Sequence, residues 1–150
     1  MQGGELYHAG VVVADLDAAR EQLTAAGGYA WTAPVESDVL VQFPDGERLV
    51  TLRVCFSTTS PHIELIQAVP GTVWEPPSSG VHHLGYWSDD VAADCVDLAV
   101  KGYTVEAWSD IGGLRMFAYC HAPLGPRIEL VHRSFAPVLL GWIADVSGGD

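Results

Sequence analysis

One phrase occurs twice in this chain. Leu6-Tyr7-His8-Ala9-Gly10 returns as Val81-His82-His83-Leu84-Gly85, and the same offset relates Asp15 to Asp90, Leu23 to Leu98 and Gly27 to Gly102. A second echo closes each half, Pro61-His62-Ile63-Glu64-Leu65 against Pro126-Arg127-Ile128-Glu129-Leu130. Self-similarity of this kind marks one supersecondary unit written twice, each copy burying a face it cannot bury alone. In 150 residues the expected organisation is a single domain. Module one runs over 5–69, a linker over 70–80, module two over 81–133 and a C-terminal tail over 134–150.

Local signals give each module the same plan. Glu5 to Val13 is apolar and β-branched and reads as a strand with Gly10 inside it. Asp15 stands where an N-cap accepts orphan backbone N–H groups. Leu16, Ala19, Leu23 and Ala26 follow at helical spacing, and Gly27-Gly28 supplies the stop. A short strand is expected over Tyr29 to Glu36, running into a loop at Pro34. Val39 to Phe43 and Arg48 to Phe56 flank the hairpin signal Pro44-Asp45-Gly46, and His62 to Ala68 ends the half. Pro70, Gly71, Pro76, Pro77 and Gly80 punctuate the linker. The second half repeats the order: a strand over Val81 to Trp87, then a helix capped by Asp90 and ended by Gly102. Strands follow near Tyr103 to Trp108, Leu114 to His121 and Arg127 to His132. The pattern is βαβββ twice. Pro137 to Val146 is apolar but too short to span a bilayer, and is expected to dock on the body or on a partner subunit.

Alternate strand residues share a face, so His83 and Gly85 point one way while His82 and Leu84 point the other. His8 and Gly10 match His83 and Gly85 by register, and a small residue beside each His leaves room for a bound group. Glu64 and Glu129 each sit between aliphatic residues on strands suited to burial. An isolated carboxylate there costs several kcal/mol, so it must be paired or bound to a cation. Two imidazoles and two carboxylates suit a divalent transition metal with open positions for water or substrate. His82 is expected to pack in the core or behind His83. His62, His121 and His132 read as structural or surface residues.

At these residues the chain resembles the vicinal oxygen chelate superfamily, the glyoxalase, bleomycin resistance and dioxygenase type. It is nearest in kind to glyoxalase-like proteins with the epimerase-type His-His pair, as in methylmalonyl-CoA epimerase. The resemblance implies an α+β fold in which two tandem βαβββ modules form an open, incomplete barrel-like mixed sheet around one metal. Carried over by position, it implies His8, Glu64, His83 and Glu129 as metal ligands, with Zn, Ni, Co, Fe or Mn as the ion. It implies Glu129 first, and Glu64 second, as the catalytic proton carrier. Tyr86, Arg115, Phe117 and Tyr119 are the residues offered as a substrate pocket.

The departures matter. The strand before the first-half ligand reads Thr51-Leu52-Arg53-Val54-Cys55-Phe56 and carries no acid, against the second carboxylate of an epimerase. Only seven Lys and Arg exist in the chain, and Arg53, Arg115 and Arg127 are the candidates to anchor glutathione carboxylates. The reading is a metal-dependent isomerase, lyase or epimerase acting on a small carbonyl compound through a metal-stabilised enediolate. The alternative is a metal-free, resistance-type binding protein that sequesters a drug or natural product. An extradiol-type dioxygenase fits the chain length poorly.

A net charge of −12 and a pI near 4.6 oppose binding to nucleic acid or anionic lipid. Cys55, Cys95 and Cys120 form no CxxC pair, which fits a reduced, cytoplasmic protein. A small-molecule substrate is expected, and a second copy of the chain in a homodimer is the one protein partner left open.

Overall fold

The computed structural model describes residues 5–77 and 80–147. The linker's Ser78 and Ser79 and the last residues of the tail lie outside them. Strand β1 (Glu5–Val13) leads into α1 (Leu16–Gly27), then β2 (Val35–Phe43), β3 (Gly46–Phe56) and β4 (His62–Gln67). Strand β5 (His83–Ser88), α2 (Val91–Val100), β6 (Thr104–Ile111), β7 (Leu114–His121) and β8 (Arg127–His132) repeat that order. A 3-10 turn (Arg133–Phe135) and α3 (Ala136–Ser147) complete the chain.

The repeated signals act as written. The Asp15 carboxylate accepts from the Ala18 N–H, and the Asp90 carboxylate from the Ala93 N–H, each satisfying an orphan donor of its helix. Gly28 closes α1 in the left-handed region at φ 71°, where a Cβ is costly. Several strand boundaries differ from expectation. Between Tyr29 and Pro34 only Trp31 bridges Ser57, because Thr32 and Thr58 spend their N–H groups on Phe56 and Ala30 carbonyls in a local crossing. The hairpin is correspondingly longer, with β2 starting at Val35. Strand β5 starts at His83, since the N–H of His82 is committed to the Gly10 carbonyl.

The strands close into a ring in the order β1-β4-β3-β2-β6-β7-β8-β5. This corrects the open, incomplete barrel. The seam closes at Gln42 and Trp108, where β2 meets β6, and the Ser109 hydroxyl fastens it by donating to the Leu40 carbonyl at 2.8 Å. The opposite seam is antiparallel pairing of β1 with β5, while each module's first and last strands run parallel, β1 with β4 and β5 with β8. Both helices pack outside. α1 sets Leu16 and Leu23 against Leu65 and Trp31, and α2 sets Val91, Cys95 and Leu98 against Ala118, Cys120 and Leu130.

Trp74 is 1% exposed although it belongs to the linker, and it packs with Val41, Phe43, Ile66 and Tyr119. Its indole N–H donates to the Tyr119 hydroxyl at 3.1 Å. The tail docks on the body: Leu139, Trp142 and Ile143 of α3 cover Tyr7, Phe56 and Val131.

Candidate metal centre

The β1–β5 seam sets His8 opposite Gly85 and Gly10 opposite His83. Each imidazole therefore lies across the glycine of the other half. A Cβ built on Gly10 would stand 1.9 Å from His83 Cε1, and one on Gly85 would stand 1.8 Å from His8 Cε1. These glycines are present because the rings occupy the volume a side chain would need.

Strands β4 and β8, parallel to β1 and β5, bring Glu64 and Glu129 to the same point. His8 Nε2 lies 2.9 Å from His83 Nε2, 3.4 Å from Glu64 Oε1 and 3.3 Å from Glu129 Oε1. His83 Nε2 lies 3.2 Å from Glu64 Oε1 and 3.7 Å from Glu129 Oε1. All four groups are buried and their ligand atoms fall within 4.8 Å of one another. Adjacent ligands about 2.1 Å from a shared octahedral ion lie about 3 Å apart, so the quartet fits a divalent metal with little adjustment.

The metal-free electrostatics point the same way. Burial pushes the His8 imidazole down, but the Glu129 and Glu64 carboxylates outweigh it and push it up to about 9. Burial pushes Glu64 up, and its hydrogen bonds to His8 and His83 outweigh that, holding its carboxyl at about 2. Two buried carboxylates demand a positive charge, and without a metal a proton on His8 supplies it.

His82 has a larger part than packing. Its Nε2 meets the Val73 carbonyl at 2.7 Å, and a carbonyl only accepts, so Nε2 carries the proton. Burial and the neighbouring His83 push His82 down to about 4, so the ring is neutral and its Nδ1 is an acceptor. The His83 Nδ1–H therefore donates to it across 2.9 Å. That ties His83 Nδ1 down and leaves its Nε2 as the atom facing the centre, the one through which it would hold a metal. Replacing His82 with Leu is expected to weaken Zn(II) affinity about 10- to 100-fold. The barrel should stay folded at a cost of about 1–3 kcal/mol for the unpaired donor. Zn(II) titration and denaturant unfolding check both.

Glu64 and Glu129 of the quartet line a cavity of about 280 Å³. Phe117 and Tyr119 stand on its wall, as do Leu52, Val54 and Phe56 of β3. Burial and the Glu129 and Glu64 carboxylates hold the Tyr119 phenol well above its usual range, so it remains a donor. Tyr86 and Arg115 fall elsewhere. Tyr86 has the outward parity of β5 and packs beside α2. Arg115 pairs with Asp110 at 3.1 Å and lies over the Trp108 ring, beyond a register shift in β6. Trp74, Phe135 and Trp142 also line the cavity. Nothing local signals them, because they come from the linker and tail. The His62 Nδ1–H donates to the Ser57 carbonyl at 2.7 Å, and His132 caps the 3-10 turn, both away from the centre.

A ring of duplicated βαβββ units whose midpoint can hold a metal between two His and two Glu defines the class of protein. The chain belongs to the Glyoxalase/Bleomycin resistance protein/Dioxygenase superfamily, whose pattern matches residues 7–119. Among solved structures, a variant methylmalonyl-CoA epimerase from Streptomyces coelicolor, in complex with 2-nitronate-propionyl-CoA, shares 22% identity. The match covers 86% of this chain and 94% of that one, with a TM-score of 0.60. Methylmalonyl-CoA epimerase from Mycobacterium tuberculosis shares 20% over 89% and 91%, with a TM-score of 0.56. A variant 4-hydroxymandelate synthase from Streptomyces coelicolor shares 18% over 88% of this chain and 39% of its own, also at 0.56. At these identities the likeness is one of fold. No curated protein sequence matches the chain significantly.

Proposed function

We propose that the chain is a metal-dependent isomerase, lyase or epimerase of the glyoxalase type, acting on a small carbonyl compound with adjacent oxygens. The observation that carries this reading is the buried quartet, whose two carboxylates line an open cavity. His8, Glu64, His83 and Glu129 would hold the ion. Bound there, a divalent cation acts as a Lewis acid and favours the enediolate of a carbonyl substrate.

The chain's own groups move the proton. The C–H bond next to the carbonyl breaks, its proton passes to a carboxylate oxygen of Glu129, or of Glu64, its electron pair forms the carbon–carbon double bond, and the carbonyl π pair moves onto the oxygen. Return of that proton to the neighbouring carbon gives the isomer, whereas return to the same carbon from the face it left restores the substrate, and only delivery to the opposite face gives the epimer. On β3 the cavity meets Leu52, Val54 and Phe56, so that strand offers no third acid. One carboxylate working from one face is therefore favoured over a two-base epimerisation.

After loading with Zn(II), Co(II), Ni(II) or Mn(II) and desalting, the protein should retain about one equivalent of at least one metal. It should also catalyse deuterium uptake at the carbon next to the carbonyl in D₂O, read by proton NMR. Retention below about 0.2 equivalents of every metal overturns the reading. The aromatic wall of Phe117, Phe135 and Trp142 favours the metal-free binding protein as the second reading. Ligand binding indifferent to chelator would select it.

A further inference from the structure

The cations of this chain are all engaged. Arg20 and Arg53 pair with Asp17, Arg48 with Asp45, Lys101 with Asp97, Arg115 with Asp110, Arg127 with Glu106, and Arg133 with Glu5 and Asp89. These are the seven Lys and Arg of the sequence. None lines the cavity above the quartet, and Arg48 and Arg127 face a different groove. The cavity wall is instead apolar and aromatic, with Ser37 at its exposed rim and the Tyr119 hydroxyl inside.

Size and charge then select a ligand. At about 280 Å³ the space is roughly twice a dry cavity of about 150 Å³ that holds one benzene. One aromatic ring with a short oxygenated arm fills it. The floor carries two carboxylates, which together balance one divalent cation. A further carboxylate or phosphate would add a charge that neither the already balanced centre nor any Lys or Arg of the wall offsets, a cost of several kcal/mol per unpaired charge. An uncharged pair of oxygens adds no such charge, and a ring against Phe117, Phe135 and Trp142 gains offset or edge-on contact.

We propose that the substrate is a neutral aryl ketone or aldehyde bearing a second oxygen on the adjacent carbon, and not a carboxylate or an acyl-CoA. This rests on the metal-dependent reading above for the role of the two oxygens. Trp74 and Trp142 line the cavity, so tryptophan fluorescence reports its filling. The probes are 2-hydroxyacetophenone, mandelate (which keeps the ring and the adjacent oxygens but adds a charge) and propionyl-CoA. Each is titrated into the Co(II)-loaded full chain and into the chelated protein, with the Co(II) visible spectrum read in parallel.

Quenching by 2-hydroxyacetophenone at about tenfold lower concentration than by mandelate or propionyl-CoA, with a change in the Co(II) spectrum, is the expected result. Mandelate or propionyl-CoA binding as tightly, or 2-hydroxyacetophenone failing to bind, overturns the substrate class. Equal binding of 2-hydroxyacetophenone with and without Co(II) keeps the ligand class and overturns the metal-dependent reading. Leu52→Arg, which places a cation on the wall, should narrow the preference over mandelate; an unchanged ratio in a folded variant overturns the charge argument.

Discussion

Gly85→Ala should abolish metal retention. The added methyl carbon would stand 1.8 Å from His8 Cε1, 2.2 Å from Nδ1 and 2.5 Å from Nε2, inside the imidazole itself. His8 cannot step aside. It is 1% exposed, with the Tyr7 ring 4.3 Å away, His83 at 5.0 Å and Phe56 at 5.6 Å between centroids. Either the ring leaves the centre or β1 and β5 separate. The expected result is a fall in Zn(II) affinity of about 100-fold or more, with about 1–3 kcal/mol of overpacking cost in denaturant unfolding. Gly10→Ala should do the same through His83, whose Cε1 lies 1.9 Å from the built atom. Gly141→Ala is the control, since it lies on α3 with nothing within 4 Å and should leave metal binding unchanged. Full metal binding by both seam variants would refute the cradle.

The second large effect is one of pH on the chelated protein. His8 is raised from 6.5 to about 9, so its contribution is fully present below 6.5 and is lost as pH rises through 9. Glu64 is lowered from 4.5 to about 2, so its contribution is present above 4.5 and is lost as pH falls through 2. The metal-free protein should therefore be most stable between about 4.5 and 6.5 as far as this pair is concerned. Thermal unfolding across pH 5 to 10 should show a decline on the alkaline side. In the metal-loaded protein the ion replaces the proton, so that decline should disappear. Calorimetric titration at pH 7.5 in buffers of different ionisation enthalpy should show release of about one proton per Zn(II). A flat alkaline limb in the chelated protein, or no proton release, would contradict the assignment of the proton to His8.

The quartet was legible in the sequence because its four residues break the rules of their surroundings. Glu64 and Glu129 are charges inside aliphatic strands, and Gly10 and Gly85 are gaps inside them, each repeated at equivalent positions. Misfits that repeat are visible without coordinates. For His82 the sequence left two places open, the core or behind His83, because alternation assumes a strand already running, whereas β5 begins at His83 and the two rings touch through their Nδ1 atoms. Closure of the barrel rests on one register pair and one hydroxyl bond, which no local pattern announces. Trp74 read as a residue of a Pro/Gly linker, and Trp142 as part of an apolar tail. Their burial over the cavity depends on how chain crosses the barrel ends, which is long-range information. Arg115 shares strand parity with Phe117 and Tyr119, but the register shift between Ser109 and Asp110 carries it to the outer side.

The exchange of glycines across the seam has a consequence for how such a chain can change. Each half carries the imidazole that fills the other half's gap, so the two halves are bound by mutual steric debt as well as by hydrogen bonds. Either half alone would expose a gap without its ring and a ring without its gap, with one His and one Glu that cannot complete a coordination sphere. Separately expressed halves should therefore gain metal affinity only on mixing. A bulkier residue at position 10 becomes tolerable only with a smaller one at 83, and likewise for 85 and 8, so substitution is coupled between partners far apart in the chain.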